Sequence, residues 1–373
     1  MKKIIILYST AGMGHKKAAI ALFKAFREKG GNADVEIIDI LEYGNRSYKF
    51  IYFDLYVFFM SRARWLWGVL YDLSNTRVVD LLTRRMRGVM DSRSLPGLVG
   101  MLTDKKADAI VSTHFLLPSI AGVLKQNRDF RSRTYAVVTD YGPHSYWLSD
   151  HIDRFFVGSG SAKQELAKRD VPEEKIDVTG IPTTDEFRGD FDTGMLRGIY
   201  GLDAAKKTVF MMSGGFGVGP MEEMLVSLNS CRADIQVITV CGHNKRAYKR
   251  VEALREKLEY PVVLFGFTDK IAELMAVSDL MITKAGGISV TEAMNSRLPM
   301  ILFASVPGQE TWNEEFLVKS RAAEKAEKVK DIPVIADRML LTEGVYDTYK
   351  SAIDRIRRPD AAERVVDIVL EAI

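Results

Sequence analysis

Short apolar runs recur along the chain, each followed by a polar or glycine-bearing turn and then by residues whose apolar positions fall at helical spacing. The runs cover residues 4–8, 35–39, 109–112, 135–139, 155–157, 209–212, 236–240, 262–265, 280–282 and 300–303. A run that is apolar throughout reads as a strand buried on both faces, and strands alternating with helices predict parallel sheets covered by helices. Around residues 180–188 the pattern lapses into GIPTTDEFR, which reads as a linker between two strand-rich halves. The expected domains are 1–185 and 186–358, followed by a helix over 359–373.

The segment from 279 to 313 carries the most chemistry. Leu280, Met281 and Ile282 read as a buried strand, Thr283, Lys284, Ala285, Gly286 and Gly287 as a tight turn, and 288–295 as a helix. A helix N-terminus over a glycine turn offers free backbone N–H groups and the positive end of the macrodipole to an anion. Glu292, a few residues into that helix, is placed to accept hydrogen bonds from both hydroxyls of a ribose whose diphosphate sits on the turn. After the next strand come Gln309 and Glu310, an amide and a carboxylate suited to a hexose, whose hydroxyls each donate and accept. Ser213, Gly214, Gly215, Phe216 and Gly217 follow the strand at 209–212 and form a second turn with backbone donors for a diphosphate. Read singly, each of these is equally an ordinary turn, helix surface or loop; in this order they indicate a nucleotide-sugar site.

One stretch breaks the alternation. Residues 48–71 hold ten aromatics: Tyr48, Phe50, Tyr52, Phe53, Tyr56, Phe58, Phe59, Trp65, Trp67 and Tyr71. Over 46–93 nine arginines and lysines (Arg46, Lys49, Arg62, Arg64, Arg77, Arg84, Arg85, Arg87, Arg93) face four aspartates (Asp54, Asp72, Asp80, Asp91), a net +5 against +3 for the whole chain. Aromatics settle at lipid headgroup level, and each nearby cation adds about 1 kcal/mol of attraction to an anionic leaflet. The insertion therefore predicts reversible attachment to an anionic membrane surface, with Trp65, Trp67, Arg84 and Arg85 in the contact. A helical insertion whose aromatics fill a core or a dimer interface fits the same residues. Single-stranded nucleic acid is a poor fit to a chain so close to neutral, and no nucleic-acid partner is expected.

At 373 residues the chain holds two domains of ordinary size. Cys231 and Cys241 fit a reduced cytoplasmic protein better than a disulfide scaffold. No run approaches the ~18 uncharged apolar residues of a membrane span, and the first strand is too soon broken by polar residues for a signal peptide. The expectation is a cytoplasmic protein, peripheral on the membrane.

The run TKAGG...TEA followed by PGQETWN resembles the donor site of the glycosyltransferases that include monogalactosyldiacylglycerol synthase, diacylglycerol glucosyltransferase and, more distantly, the lipid II glucosaminyl transferase. STAGMGHKKAA, VVTDYGPHSYW, SGGFGVGPMEEM, VITVCGHNK and LFGFTDKIAELMAVSD are similar to further stretches of that family, in its order. The resemblance implies a GT-B fold of class α/β, with two Rossmann-like domains facing across a cleft and a last helix packing back on the first domain. It implies UDP as the nucleotide, held at Phe267, with Gly242 and Asn244 on the adjoining loop. Where the family usually has proline this chain has Gly287, and where its turn is more uniformly glycine this chain has Phe216, so the donor sugar stays open between UDP-galactose and UDP-glucose.

A transfer to a hydroxyl needs a base, and His15, expected at a helix start at the strand carboxyl ends after Gly12 and Gly14, is the first candidate. Asp140, ending the strand at 135–139, is the second, either orienting His15 or acting as the base. Gly14, Pro118, His144 and Trp147, with His114, are candidates for the acceptor. No metal-ligand spacing is present; no catalytic metal and no cofactor beyond the UDP-sugar itself are expected, because the helix N-terminus with Lys284 can neutralise a leaving diphosphate. The expected reaction is inverting transfer of a hexose to diacylglycerol, giving a β-glycoside. A UDP-sugar 2-epimerase, a transferase acting on another lipid such as a polyprenyl-linked acceptor, and a non-catalytic UDP-sugar sensor are the competing readings.

Overall fold

The computed structural model describes residues 1–10, 12–45, 48, 50, 55, 58–59, 63–215, 217 and 219–373. Phe216, expected at the donor turn, and Arg46, Lys49, Tyr52, Phe53, Asp54, Tyr56 and Arg62 of the aromatic stretch lie outside the described residues. The chain divides into two compact units, one of Met1–Thr184, Pro307–Trp312 and Arg358–Ile373, the other of Asp185–Val306 and Asn313–Arg357.

In the first unit the chain runs β1 (Lys3–Tyr8), α1 (Met13–Lys29), β2 (Asp34–Asp39), α2 (Arg64–Ser74), α3 (Arg77–Ser94) and α4 (Pro96–Asp104). It continues through β3 (Ala109–Ser112), α5 (Leu116–Gln126), β4 (Arg133–Val137), β5 (Arg154–Val157), α6 (Gly160–Ala167) and β6 (Ile176–Val178). Among the described residues the six strands form one parallel sheet in the order β2-β1-β3-β4-β5-β6.

The second unit opens with α7 (Thr193–Ile199), β7 (Lys207–Met212), α8 (Met221–Ser227), β8 (Ile235–Val240), α9 (Lys245–Leu254), β9 (Val262–Phe265) and α10 (Ile271–Ala276). Then come β10 (Leu280–Thr283), α11 (Gly287–Asn295), β11 (Met300–Leu302), α12 (Thr311–Lys319, of this unit from Asn313 on), β12 (Ala323–Lys325), α13 (Asp331–Leu341) and α14 (Val345–Ile356). Its sheet is likewise parallel, ordered β12-β11-β10-β7-β8-β9.

The strands read as continuous apolar runs because helices cover both faces: Ile4, Ile5, Ile6 and Leu7 of β1 are all fully buried, as are Leu280, Met281 and Ile282 of β10. Each such side chain, taken fully out of water, contributes about 1.5–3 kcal/mol. The buried amide of Gln236 in β8 is tolerated because it is satisfied, donating to Asp203 O at 2.8 Å and Thr208 Oγ1 at 3.0 Å and accepting from Asp203 N at 2.9 Å.

The last helix, α15 (Ala361–Ala372), belongs to the first unit, as the resemblance implies. Its Val365, Val366 and Val369 pack with Ala19, Leu22 and Phe26 of α1 in one buried cluster, and Lys29 pairs with Asp367 at 2.7 Å.

Among the described residues two strands fall outside the predicted runs, β6 (IDV) and β12 (AEK). Both lie at the ends of their sheets, where one side is unpaired and a strand needs little apolar content.

Candidate active site

In each sheet the strand order reverses at one place, and ligands of open α/β sheets bind at the carboxyl ends of the strands there. The reversal is between β1 and β3 in the first unit and between β7 and β10 in the second.

The first reversal assembles the surroundings of His15. With Leu7 in register with Ser112, the turns after β1 and β3 emerge side by side. Asp39, at the end of β2, fixes the first turn by accepting from Thr10 N at 3.3 Å, from Leu41 N at 3.0 Å and from the Thr10 hydroxyl. That sets the start of α1 at Met13 and puts His15 in its first turn. Nδ1 of His15 lies 2.6 Å from the Thr113 carbonyl oxygen and 3.1 Å from Thr139 Oγ1, and Thr113 Oγ1 donates back to His15 O at 2.9 Å. A carbonyl only accepts, so the neutral ring carries its proton on Nδ1 and presents Nε2 as a lone pair.

Gly12 keeps that edge clear, since a Cβ there would stand 2.8 Å from Cδ2 and 3.4 Å from Nε2. Gly14 is half-buried in the same turn. His114 meets His15 edge to face, ring centroids 4.9 Å apart, and its own Nδ1 accepts from Leu116 N at 3.2 Å. Burial lowers His15 to about 4 against the opposing pull of the Thr113 carbonyl; it lowers His114 well below the ordinary value, with His15 adding to the effect.

Asp140 follows Thr139, whose hydroxyl meets His15, and the charge of Asp140 is felt by Tyr71, whose hydroxyl is shifted upward chiefly by burial. The acceptor candidates are more deeply set. Pro118 is buried in α5, and Trp147 is 4% exposed within the main apolar cluster of this unit. His144 is a clamp on α2: Nδ1 accepts from Tyr146 N at 3.1 Å, while Nε2 lies 3.2 Å from both Tyr71 O and Ser74 Oγ.

Burial, opposed by the Tyr71 carbonyl, lowers His144 to about 4. A lowered histidine pKa means that the unfolded chain binds more protons between about 4 and the ordinary 6.5; stability is full above that window and is lost as pH falls through it. His144 alone should account for about 3 kcal/mol. The thermal midpoint is expected to drop by about 6–12 °C between pH 7 and pH 4.5, which calorimetry at the two values checks.

At the second reversal Thr283 is in register with Met212, which sets Lys284 beside the turn after β7. The Lys284 chain crosses Gly214, whose Cβ position is 3.3 Å from Lys284 Cε. The turns after β7 and β8 interlock through glycine. Gly242 has φ +56 and room for no side chain, a Cβ falling 2.3 Å from Gly215 O; the one on Gly217, also at φ +56, would fall 2.0 Å from Cys241 O.

His243 N donates to Gly215 O at 3.0 Å, and Asn244 spans the turns, Nδ2 donating to Gly217 O at 2.8 Å and Oδ1 capping α9 at Ala247 N at 3.0 Å. His243 and Phe267 stack in parallel, 4.2 Å apart at 16°, with Phe267 58% exposed. The turn before α11 is fastened from outside, Ala285 N donating to Ser305 Oγ at 3.3 Å and buried Asn313 donating to Ala285 O at 2.9 Å. Gly286 precedes α11, and no side chain caps it. Glu292 is 2% exposed on that helix.

Gln309 and buried Glu310 lie in Pro307–Trp312, the short segment that belongs to the first unit. On the insertion, α2 and α3 present an apolar outer face: Trp65 is 71% exposed and Leu82 75%, with Val69, Leu73, Val78, Leu81, Met86 and Met90 exposed beside them. Arg85 is exposed, Arg84 pairs with buried Asp80, and Trp67 is half-buried. Among the described residues no group of His, Cys, Asp and Glu is arranged to hold a metal ion.

Thr113, Thr139, Asp39 and His243 join the candidate residues only through the fold. Asp39 and Thr139 carried a signal, each closing an apolar run at a strand's carboxyl end.

The family model described as monogalactosyldiacylglycerol (MGDG) synthase matches residues 15–183, and that of the glycosyltransferase family 28 C-terminal domain matches 208–332. A processive diacylglycerol beta-glucosyltransferase of Bacillus cytotoxicus is 30% identical over 378 residues, covering 99% of this chain and 93% of its own. Among solved structures, Acinetobacter baumannii MurG aligns with a TM-score of 0.62 at 13% identity, covering 100% of both chains. A UDP-N-acetylglucosamine 2-epimerase aligns at 0.63 and 16%, covering 100% of this chain and 96% of its own, so the GT-B-like scaffold by itself does not separate transferase from epimerase. The near-complete alignment at 30% identity does: the chain belongs to the monogalactosyldiacylglycerol synthase and diacylglycerol glucosyltransferase family.

Proposed function

We propose that this protein transfers glucose from UDP-glucose to the free hydroxyl of diacylglycerol, with inversion, to give a β-glucosyl diacylglycerol at the cytoplasmic face of a membrane. The observation that carries the reading is His15, held neutral with Nδ1 on the Thr113 carbonyl and Nε2 left as a lone pair.

In the reaction the acceptor oxygen attacks the anomeric carbon from the face opposite UDP while its proton passes to His15 Nε2. The bond from the anomeric carbon to the diphosphate breaks, and its electron pair leaves with UDP. The charge that develops there is met by the uncapped N-terminus of α11, by Lys284 and by the backbone of Gly214 and Gly215. Thr283 to Gly287 form the diphosphate turn and Glu292 takes the ribose hydroxyls. Phe267, Gly242 and Asn244 hold the uracil side of the donor, and Gln309 and Glu310 read the hexose. Asp140 supports the base.

Glucose is preferred over galactose because the relatives aligned along the whole chain carry that sugar in their names. The rate with UDP-glucose is expected to exceed that with UDP-galactose by roughly tenfold or more, since a site that pairs one hydroxyl is left with buried polar groups unmatched by its epimer. Steady-state rates with both donors and diacylglycerol check this; an equal or reversed preference overturns the donor assignment.

Membrane attachment rests on the exposed apolar face of α2 and α3 with its arginines, which fits an anionic leaflet. Among the described residues no helix is long and apolar enough to cross a membrane. The free thiols of Cys231 and Cys241 fit the cytoplasmic side.

A further inference from the structure

Helix α2 has two faces with different partners. Trp65, Val69 and Leu73 are exposed on one; Gly68 is buried and Trp67, Tyr71 and Ser74 are covered on the other, at the three-to-four-residue spacing of a single helical stripe. The covered stripe holds the segment that carries Gln309 and Glu310. A Cβ on Gly68 would stand 2.7 Å from Pro307 Cβ, so only glycine lets the helix come this close. Gly308 is at φ +79, and its Cβ position is 2.8 Å from the Tyr71 ring. The end of the segment is keyed in the same way, since a Cβ on Gly142 would fall 2.3 Å from Trp312 Cβ.

The C-terminal end of α2 is fastened independently of that segment. Ser145 N donates to Asn75 Oδ1 at 2.8 Å, Ser145 Oγ donates to Ser74 O at 2.9 Å, and the Tyr71 and His144 rings lie 4.3 Å apart. The aromatic ring of Tyr71 is thus the wall between the outward apolar stripe and the backbone of the hexose-reading segment.

We propose that α2 positions Gln309 and Glu310 for the donor hexose, with Tyr71 as the positioning residue, and that seating its outer face on a lipid bilayer tightens the grip on the sugar. The inference rests on the reading above, in which those two residues bind the hexose and the insertion meets a membrane. Its signature is selective. A surface that acts through Pro307–Trp312 alters affinity for UDP-glucose, which has a hexose, and leaves UDP, which has none.

The test is calorimetric titration of the full chain with UDP-glucose and with UDP, with and without vesicles of phosphatidylglycerol and phosphatidylcholine that lack diacylglycerol. Co-sedimentation reports whether the protein is bound. For the parent, vesicles are expected to tighten UDP-glucose by about tenfold and leave UDP within twofold, a coupling of ordinary size. Tyr71→Ala is expected to bind UDP normally, which certifies its fold, and to lose the vesicle response; Tyr71→Phe, which keeps the ring, is expected to retain it. Vesicle-bound parent with unchanged UDP-glucose affinity, equal shifts for UDP and UDP-glucose, or a Tyr71→Ala variant that responds like the parent would each overturn the coupling. Protein that fails to co-sediment removes the membrane reading first and the coupling with it.

Discussion

His15→Ala is expected to lower kcat by about 10²- to 10⁴-fold while the KM for UDP-glucose stays within about twofold, because the substitution removes the proton acceptor and nothing assigned to the donor. The variant and parent compared in the same steady-state assay check it. The pH profile supplies a second, independent signature. Burial holds His15 at about 4, and the basic form is the active one, so the parent's rate should be flat through neutrality and fall only as pH drops through about 4. An unburied histidine would instead put the acid limb near 6.5. Asp140→Asn is the natural comparison. A base at position 140 would make that substitution the severe one and His15→Ala the mild one. Thr113 and Thr139 already engage the protonated Nδ1 of His15, so the acceptor's proton can be taken only at the Nε2 lone pair, and Asp140 is left a supporting role.

Gly242→Ala is expected to abolish detectable UDP binding, or weaken it well over tenfold, and to lower the melting temperature. Two effects add. A non-glycine residue at φ +56 costs about 1–2 kcal/mol in backbone strain. The added Cβ would also stand 2.3 Å from Gly215 O, so the turn proposed to carry the diphosphate donors has to shift. Gly201→Ala separates the two: it has φ +65 and nothing within 4 Å of a Cβ, so it should show the strain alone, with melting a few degrees lower and UDP affinity unchanged. Equal losses in the two variants would mean that the interlocked turns do not shape the nucleotide site. Isothermal titration with UDP and a melting curve for each protein decide between these outcomes.

Much of the architecture follows from residue pattern. Ten of the twelve described strands coincide with the predicted runs, and the inner ones are mainly apolar because helices cover both of their faces. Helix α11 was legible from Gly286 and Gly287 in front of an apolar stripe, and Glu292 with it. Other features depend on which strands become neighbours, which local pattern does not encode. The pairing of β1 with β3 carries Thr113 to His15 across ninety-eight positions of sequence, and Thr139 comes from β4's side of the same sheet. The grouping of Pro307–Trp312 with the first unit depends on Gly68 and Gly308, glycines whose role shows only when their neighbours are in place.

Residue type also pointed two ways. His144, Pro118 and Trp147 are the kinds of residue that line an acceptor site, and equally the kinds that a core takes once their polar atoms are satisfied, as the two hydrogen-bonded nitrogens of His144 are. The aromatic insertion shows the same division within one helix, Trp67 turned inward and Trp65 outward.

Everything proposed for His15 comes down to a glycosyl transfer that depends on diacylglycerol. Release of UDP from UDP-glucose, measured with and without diacylglycerol in anionic vesicles, tests it most directly. Release is expected to require diacylglycerol, to be matched by glucose transferred to the lipid and to be lost in His15→Ala; conversion of the UDP-sugar without lipid, or release indifferent to diacylglycerol, would rule the transfer out.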